Sequence, residues 1–223
     1  MGPNNVTELR IANTHSVSIT ITDDVSKREL SPGKRELSLG KRDIIECSDR
    51  FKTQFISDSI VEARRLNTIA SVYINTLRGT DYIYKRYFGS NSFMDVLSKW
   101  GVIGNDYWAP TILDCKDDGH YCGSSTTFYL SDNNNRIHFC DYFFKYKDTS
   151  IRPFCKEHNI VAPKKGLRGG AMIHALALAL GAAEDIRFGC QEVRSLPDAD
   201  KIKNADNYEV STRTPRCPLD PVC

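Results

Sequence analysis

The residues of this sequence that are best suited to covalent chemistry are its cysteines. There are eight, all after residue 46: Cys47, Cys115, Cys122, Cys140, Cys155, Cys190, Cys217 and Cys223. An even number spread along a chain is typical of disulfides formed in an oxidising compartment. A zinc ribbon would need close CxxC pairs, which the sequence lacks. We therefore expect four disulfides, a secreted extracellular protein and no cysteine nucleophile, because the thiolate is the reactive form.

Motifs and charge exclude several other classes of function. The sequence contains no GxSxG, GxGxxG or phosphate-binding loop. Its 30 basic and 28 acidic residues are scattered and give a formal charge of +2, so no strong field favours nucleic acid or an anionic membrane. The most apolar run, 171–183, is shorter than the roughly 18 residues that a membrane span needs. The N-terminus lacks the apolar core of a signal peptide, and the cysteines favour a secreted protein whose signal has been removed.

The first 42 residues differ from the rest of the chain. A seven-residue unit starting Lys-Arg-Glu-Leu-Ser begins at Lys27 and again at Lys34, and a third Lys-Arg pair follows at 41–42. Such a charged, glycine- and proline-containing stretch is too polar to fold. It predicts either a linker that is never cut or a pro-segment cleaved by a kexin-type protease after Arg28, Arg35 and Arg42. We favour processing, with a mature domain over 43–223.

The hydrophobic pattern after residue 46 predicts helices and one hairpin. Apolar residues recur at helical spacing over 56–77, and an Arg-Gly-Thr sequence should end that helix. Two β-branched and aromatic segments flank an Asp-Asn-Asn-Asn turn, which indicates a β-hairpin over 126–140. The run 171–183 is apolar on all faces and predicts a buried helix, and a Ser-Leu-Pro-Asp sequence begins a final helix over 195–208. Helices with a small sheet make an α+β domain.

Four features occur in an order that matches a known family. They are Tyr87-Phe88-Gly89, the segment Phe139 to Phe144 after the hairpin, the buried helix, and the segment Asn204 to Tyr208. This order resembles the deuterolysin and lysine-specific metalloendopeptidase group of fungal secreted peptidases, over about Cys47 to Thr212. The resemblance implies a zincin-like scaffold, mostly helical with a small antiparallel sheet or hairpin and stapled by disulfides. It also implies the bridges Cys47 to Cys115 and Cys122 to Cys140.

The resemblance further implies where the family's chemistry would lie. The family has HExxH on the buried helix and GTxD after it, so that two histidines and an aspartate bind zinc and a glutamate is the general base. In this sequence His174 takes the first ligand position, Ala175 replaces the base, and Leu178 replaces the second histidine. Asp185 falls on the third ligand position. The resemblance therefore gives His174 and Asp185 as vestigial metal ligands and no catalytic residue.

Each of these residues also has an ordinary structural interpretation. A lone histidine in an alanine- and leucine-rich helix is more often a core residue that is hydrogen-bonded to a backbone carbonyl. Asp185 can equally cap a helix or pair with Arg187. Three further histidines lie near cysteines and are expected on the surface or in the hairpin: His120, His138 and His158.

We expect a non-catalytic metallopeptidase-like protein that acts by binding, as a fungal virulence effector or antigen that engages a host protein. One alternative is a divergent zinc endopeptidase that recruits His158 or Glu184 as another ligand. A second is a secreted zinc-binding protein, against which Leu178 argues. No cofactor is expected, although residual zinc could bind. The expected partner is a protein, without nucleic acid or membrane.

Overall fold

A computed structural model of the protein describes residues 44–104, 111–146 and 167–212, which all belong to one compact unit. The expected pro-segment, 1–42, lies outside these residues. Among the described helices, none combines the length and the apolar character that crossing a bilayer requires.

The longest helix, α1 (Arg50–Leu77), begins at an aspartate cap. The Asp49 side chain accepts hydrogen bonds from the N–H groups of Phe51 (2.8 Å) and Lys52 (3.1 Å), which have no partner within the helix. The helix ends at Arg78, which adopts a left-handed conformation with φ of 49°, at the predicted position. The aliphatic residues of its buried face are Ile56, Ile60, Ala63, Leu66, Ala70 and Ile74.

Two shorter helices follow α1. Helix α2 (Tyr82–Phe88) begins after Asp81, whose side chain caps the first turn, and it packs against the C-terminal helices. Helix α3 (Phe93–Gly104) packs against α1 and buries Trp100 completely. The Asn67 side chain of α1 donates a hydrogen bond to the Trp100 carbonyl at 2.8 Å. These contacts join α1 and α3 on one side of the core.

The expected hairpin belongs to a four-stranded sheet of order β1-β2-β4-β3. Strands β3 (Phe128–Ser131) and β4 (Arg136–Phe139) pair antiparallel through a turn in which residues 132–134 all have positive φ. Strands β1 (Ile44–Glu46) and β2 (Ile112–Asp114) add to β4 in parallel. The predicted α+β class, mostly helical with a small sheet, is confirmed. The sheet is mixed, because two three-residue strands that show no alternation in the sequence extend the hairpin.

The buried helix is α4 (Arg168–Ala179), which packs between α1 and the last helix of the described chain. Gly169 permits close packing, since a Cβ at this position would lie 2.8 Å from the Cβ of Glu62 on α1. The helix ends before Gly181, which adopts a φ of 64° that other residues rarely tolerate. The helix therefore starts and stops slightly earlier than the apolar run 171–183.

Short helices replace the expected single helix at the C-terminal end. Over 195–208 these are α6 (Asp198–Lys201) and α7 (Ala205–Ser211), so the prediction of one continuous helix was wrong. A further short helix, α5 (Cys190–Ser195), precedes them. The chain leaves the helical path at Asn204, where its backbone pairs as a parallel bridge with Glu184. This bridge joins the segment after α4 to the start of α7.

Two disulfides stabilise the sheet region. Cys47 bonds to Cys115 across the ends of β1 and β2, and Cys122 bonds to Cys140 at the end of β4. These are the two pairs that the family resemblance implied. Cys190 is also disulfide-bonded, and none of the cysteines that the structure describes is free. Three expected disulfide cysteines lie outside the described residues: Cys155, Cys217 and Cys223.

Candidate functional site

His174 lies in the second half of α4 and is only 5% exposed. Its ring and that of Phe128 from the hairpin form a T-shaped pair, with the ring centroids 5.6 Å apart. On the other side it lies parallel to Phe188 at a centroid distance of 6.1 Å. Phe188 itself is 62% exposed, so the buried histidine stacks on a side chain that reaches solvent.

Both ring nitrogens of His174 face carboxylates. Nε2 lies 2.7 Å from Oδ1 of Asp185, whereas Nδ1 lies 3.2 Å from Oε2 of Glu209 and 3.5 Å from Oδ1 of Asp206. Asp206 and Glu209 are three residues apart on α7 and so project from one face of that helix. The ring is buried as a core histidine would be. The prediction that His174 is hydrogen-bonded to a backbone carbonyl is wrong, because the hydrogen-bond partners of the ring are carboxylates.

The electrostatics of the cluster favour a positively charged ring. Burial alone lowers the pKa of His174, but hydrogen bonds with the three carboxylates hold that pKa well above its ordinary value. A protonated imidazole donates from both nitrogens. The ring can therefore donate to Asp185 on one side and to the acidic residues of α7 on the other, and its charge offsets part of theirs.

Neighbouring residues fix the positions of Asp206 and Glu209. Oδ2 of Asp206 accepts a hydrogen bond from the N–H of Gly189 at 2.6 Å, which leaves Oδ1 directed toward the histidine. Gly170, four residues before His174, leaves room for the second acid, since a Cβ at 170 would lie 3.2 Å from Cγ of Glu209. Both acids are buried. Their geometry is therefore set by packing rather than by solvent.

A buried asparagine positions the segment that carries Asp185. Oδ1 of Asn204 accepts hydrogen bonds from the N–H groups of Ile186 (3.0 Å) and Arg187 (3.1 Å). Its Nδ2 donates to the Arg187 carbonyl (3.0 Å) and to Oδ1 of Asn207 (2.7 Å). Because Ile186 directly follows Asp185, these bonds hold the backbone from which the carboxylate reaches the histidine.

The positions to which the resemblance assigned the base and the second ligand of HExxH carry no polar side chain. Ala175 has no exposed surface and Leu178 is half-buried. Leu178 lies one turn after His174, so it shares the face of α4 on which a second ligand would be needed. Of these three residues of α4, only His174 has a side chain that can bind a metal ion.

The structure brings together the two residues that the sequence singled out, His174 and Asp185. It adds Asp206 and Glu209, which the sequence reasoning missed. Glu209 is 35 residues from His174 in the chain, and only the packing of α7 on α4 makes them neighbours. The available sequence clue was two acids three residues apart, one within the Asn204 to Tyr208 segment and one directly after it, and the family resemblance alone gave them no role.

The other expected residues do not join this cluster. His138 is buried in the hairpin, with Nε2 2.8 Å from Oγ of Ser131 and Nδ1 3.1 Å from the Lys116 carbonyl. His120 and Glu184 are exposed. The remaining predicted site residues lie outside the described residues: His158, Arg28, Arg35 and Arg42.

Comparison with known proteins identifies the family. No curated protein matches the chain in sequence. The fold resembles that of a solved zinc peptidase from Grifola frondosa, with a TM-score of 0.57 and 17% sequence identity over 74% of this chain and 96% of that chain. A family model described as lysine-specific metallo-endopeptidase matches residues 73–211, which is more than half of the chain and includes α4 and α7. The chain therefore belongs to the lysine-specific metallo-endopeptidase family.

Proposed function

We propose that this chain is a secreted, non-catalytic member of its family that acts by binding a protein. The observation that carries the proposal is the set of side chains on α4. A zinc peptidase needs three protein ligands for the metal and a base for the attacking water. Here His174 is followed by Ala175 and Leu178, neither of which can bind metal or accept a proton.

The surroundings of these positions support the same proposal. Ala175 is completely enclosed, so the place of the general base has no contact with solvent. The distance of 2.7 Å between Nε2 of His174 and Asp185 is that of a hydrogen bond. Two ligands of one tetrahedral zinc lie roughly 3.3 Å apart. The residues present therefore do not fit the HExxH zinc arrangement.

Exposed aromatic side chains support a binding role. Phe188, which stacks on His174, is 62% exposed, and Tyr121 is 69% exposed. Aromatic residues contribute strongly to the centres of protein interfaces. The disulfides suit an extracellular protein. We infer that the partner is an extracellular protein, and that the chain serves a fungus as an effector or antigen that engages a host.

A capture experiment tests this function. The full chain, immobilised with its disulfides intact, should retain a specific protein from host extracellular fluid, and Phe188→Ala should reduce retention more than the matched variant Phe51→Ala. The retained protein should stay intact on prolonged incubation with zinc. If no host fluid yields a partner, the result counts against a binding role. If both variants retain the protein equally well, the result counts against a binding role for the surface around Phe188.

A second candidate is a divergent zinc endopeptidase, which family membership allows equally. The observation in its favour is the pair Asp206 and Glu209 beside His174, because these acids could replace the groups that α4 lacks. Cleavage of the captured partner that depends on His174 would favour this candidate over the first.

A further inference from the structure

We propose that the chain binds a neutral saccharide in a polar cavity beside its two described disulfides. The cavity has a volume of about 500 Å³ and lies between the first turn of α1, the loop after β2 and the segment after β4. Small-molecule sites typically measure about 300–1,000 Å³. Two other cavities of the described core have about 10 Å³ each, which is about the space of one water molecule. None of the residues that line the polar cavity belongs to the His174 cluster, so the proposal goes beyond the function proposed above.

Covalent and hydrogen bonds hold the walls of this cavity in place. Both disulfides of the sheet region border it, one through Cys115 and the other through Cys122 and Cys140. Within the loop after β2, Oδ1 of Asp117 accepts hydrogen bonds from the N–H groups of Tyr121 (2.9 Å) and Cys122 (3.3 Å). Walls that are fixed before a ligand arrives spare the complex the free-energy cost of ordering them. The cavity is therefore a preformed site.

The charged side chains of the lining balance one another, because two are lysines and two are aspartates: Lys52, Lys145, Asp117 and Asp141. Nζ of Lys52 lies 2.7 Å from Oδ1 of Asp141 and 5.0 Å from the centre of the Phe144 ring, so this ammonium group is held at the wall. Its hydrogen bond lowers the pKa of Asp141, whose side chain stays 83% exposed. A charged ligand would meet a like charge beside each opposite one. A hydroxyl group can both accept from an ammonium group and donate to a carboxylate, so the lining favours a neutral ligand rich in hydroxyl groups.

The aromatic part of the wall also suits a sugar. Tyr142 is half-buried, and Nζ of Lys145 lies 6.0 Å from the centre of its ring. The face of an aromatic ring is electron-rich and packs against the C–H groups of a sugar ring, whose hydroxyl groups then point to the polar neighbours.

Other classes of ligand fit the cavity less well. An apolar ligand would remove water from charged groups without giving hydrogen bonds in return. An extended peptide commonly adds to the edge of a sheet, and neither edge strand of the described sheet, β1 or β3, lines this cavity. A short neutral oligosaccharide therefore matches the size, the charge balance and the ring of the site together.

Binding of neutral trisaccharides to the full, oxidised chain tests the site, with chitotriose, cellotriose, maltotriose and mannotriose as probes. Calorimetry should find at least one that binds one-to-one with a Kd below about 1 mM. Ser124→Trp adds a bulky ring at an exposed position of the lining and should abolish binding, whereas Tyr142→Ala and Asp141→Asn should each weaken it about 10-fold. Tyr82→Ala is the matched control, because Tyr82 also has a cationic side chain over its ring but lies outside the cavity. It should bind as the wild type does.

Circular dichroism first establishes that each variant is folded. Two-dimensional ¹H–¹⁵N spectra of the labelled chain then locate the sugar, and the amide signals of residues 122–124 and 141–145 should shift while those of α4 and α7 stay in place. A folded wild-type chain that binds none of the four probes would overturn the proposal, because the cavity would then hold water only. Binding that Ser124→Trp leaves unchanged would place the sugar elsewhere and overturn it too. Tighter binding of a sulfated heparin tetrasaccharide than of every neutral probe would show an anion site instead. These readouts are independent of whether the chain captures a host protein.

Discussion

Replacing Asn204 with alanine should destabilise the protein by about 3 kcal/mol. The Asn204 side chain is completely buried and makes four hydrogen bonds, to Ile186, to both backbone groups of Arg187 and to Asn207. Each bond contributes about 1 kcal/mol, so the loss of all four costs roughly 4 kcal/mol. Arg187 is exposed, and water can replace part of what its backbone loses. The remaining cost is large beside a typical unfolding free energy of about 5–15 kcal/mol.

Urea unfolding with the disulfides intact measures this effect. With a slope of about 2 kcal/mol per molar urea, the midpoint should fall by about 1.5 M. The matched control is Asn67→Ala, which removes one hydrogen bond to the Trp100 carbonyl and should cost about 1 kcal/mol. If Asn204→Ala costs no more than this control, Asn204 does not fix the segment that carries Asp185.

Three further predictions concern other parts of the chain. Paired serine substitution of Cys47 and Cys115 should lower the free energy of unfolding by about 4 kcal/mol, because their disulfide closes a 68-residue separation; a loss below about 1 kcal/mol in urea would contradict this. Asp198→Asn should destabilise the protein more at neutral pH than at strongly acidic pH. The hydrogen bond from the Ser90 N–H lowers the pKa of Asp198, so its contribution is present above the unfolded carboxyl pKa of about 4 and is lost as pH falls through the lower folded pKa. Stability curves of the two proteins that stay parallel down to pH 2 would refute that reasoning. Secretion from a fungal host should release a form cleaved after Arg42, and an intact mass that retains the whole repeat would argue against processing.

Strong local patterns in the sequence predict the larger elements of the fold. The apolar periodicity of α1, its end near Arg78 and the Asn-rich turn between β3 and β4 all depend on neighbouring residues, and each was predicted. Strands β1 and β2 have three residues each, and they form because β1 pairs with β2 and β2 pairs with β4, far away in the sequence. In the sequence, the apolar residues of α6 and α7 follow one uninterrupted helical spacing. The bridge from Asn204 to Glu184 interrupts that segment, and such a tertiary contact leaves no local pattern.

The candidate site was predictable only in part for a similar reason. His174 and Asp185 are 11 residues apart on and just after one helix, so a motif comparison could pair them. Asp206 and Glu209 reach the same ring from another helix. Their carboxylates become functional candidates only because α7 packs on α4 at the point where Gly170 leaves space. Sequence spacing does not encode that contact.

The measurement that tests the proposed loss of catalysis most directly is the rate at which the full chain hydrolyses a denatured protein substrate in excess zinc. An active family member is the positive control, and His174→Ala is the matched variant. Absence of a general base alone costs about 10²- to 10⁴-fold, and Leu178 removes a ligand as well. We predict cleavage no faster than that of His174→Ala and unchanged by zinc. Zinc-dependent cleavage that disappears in His174→Ala would contradict the account.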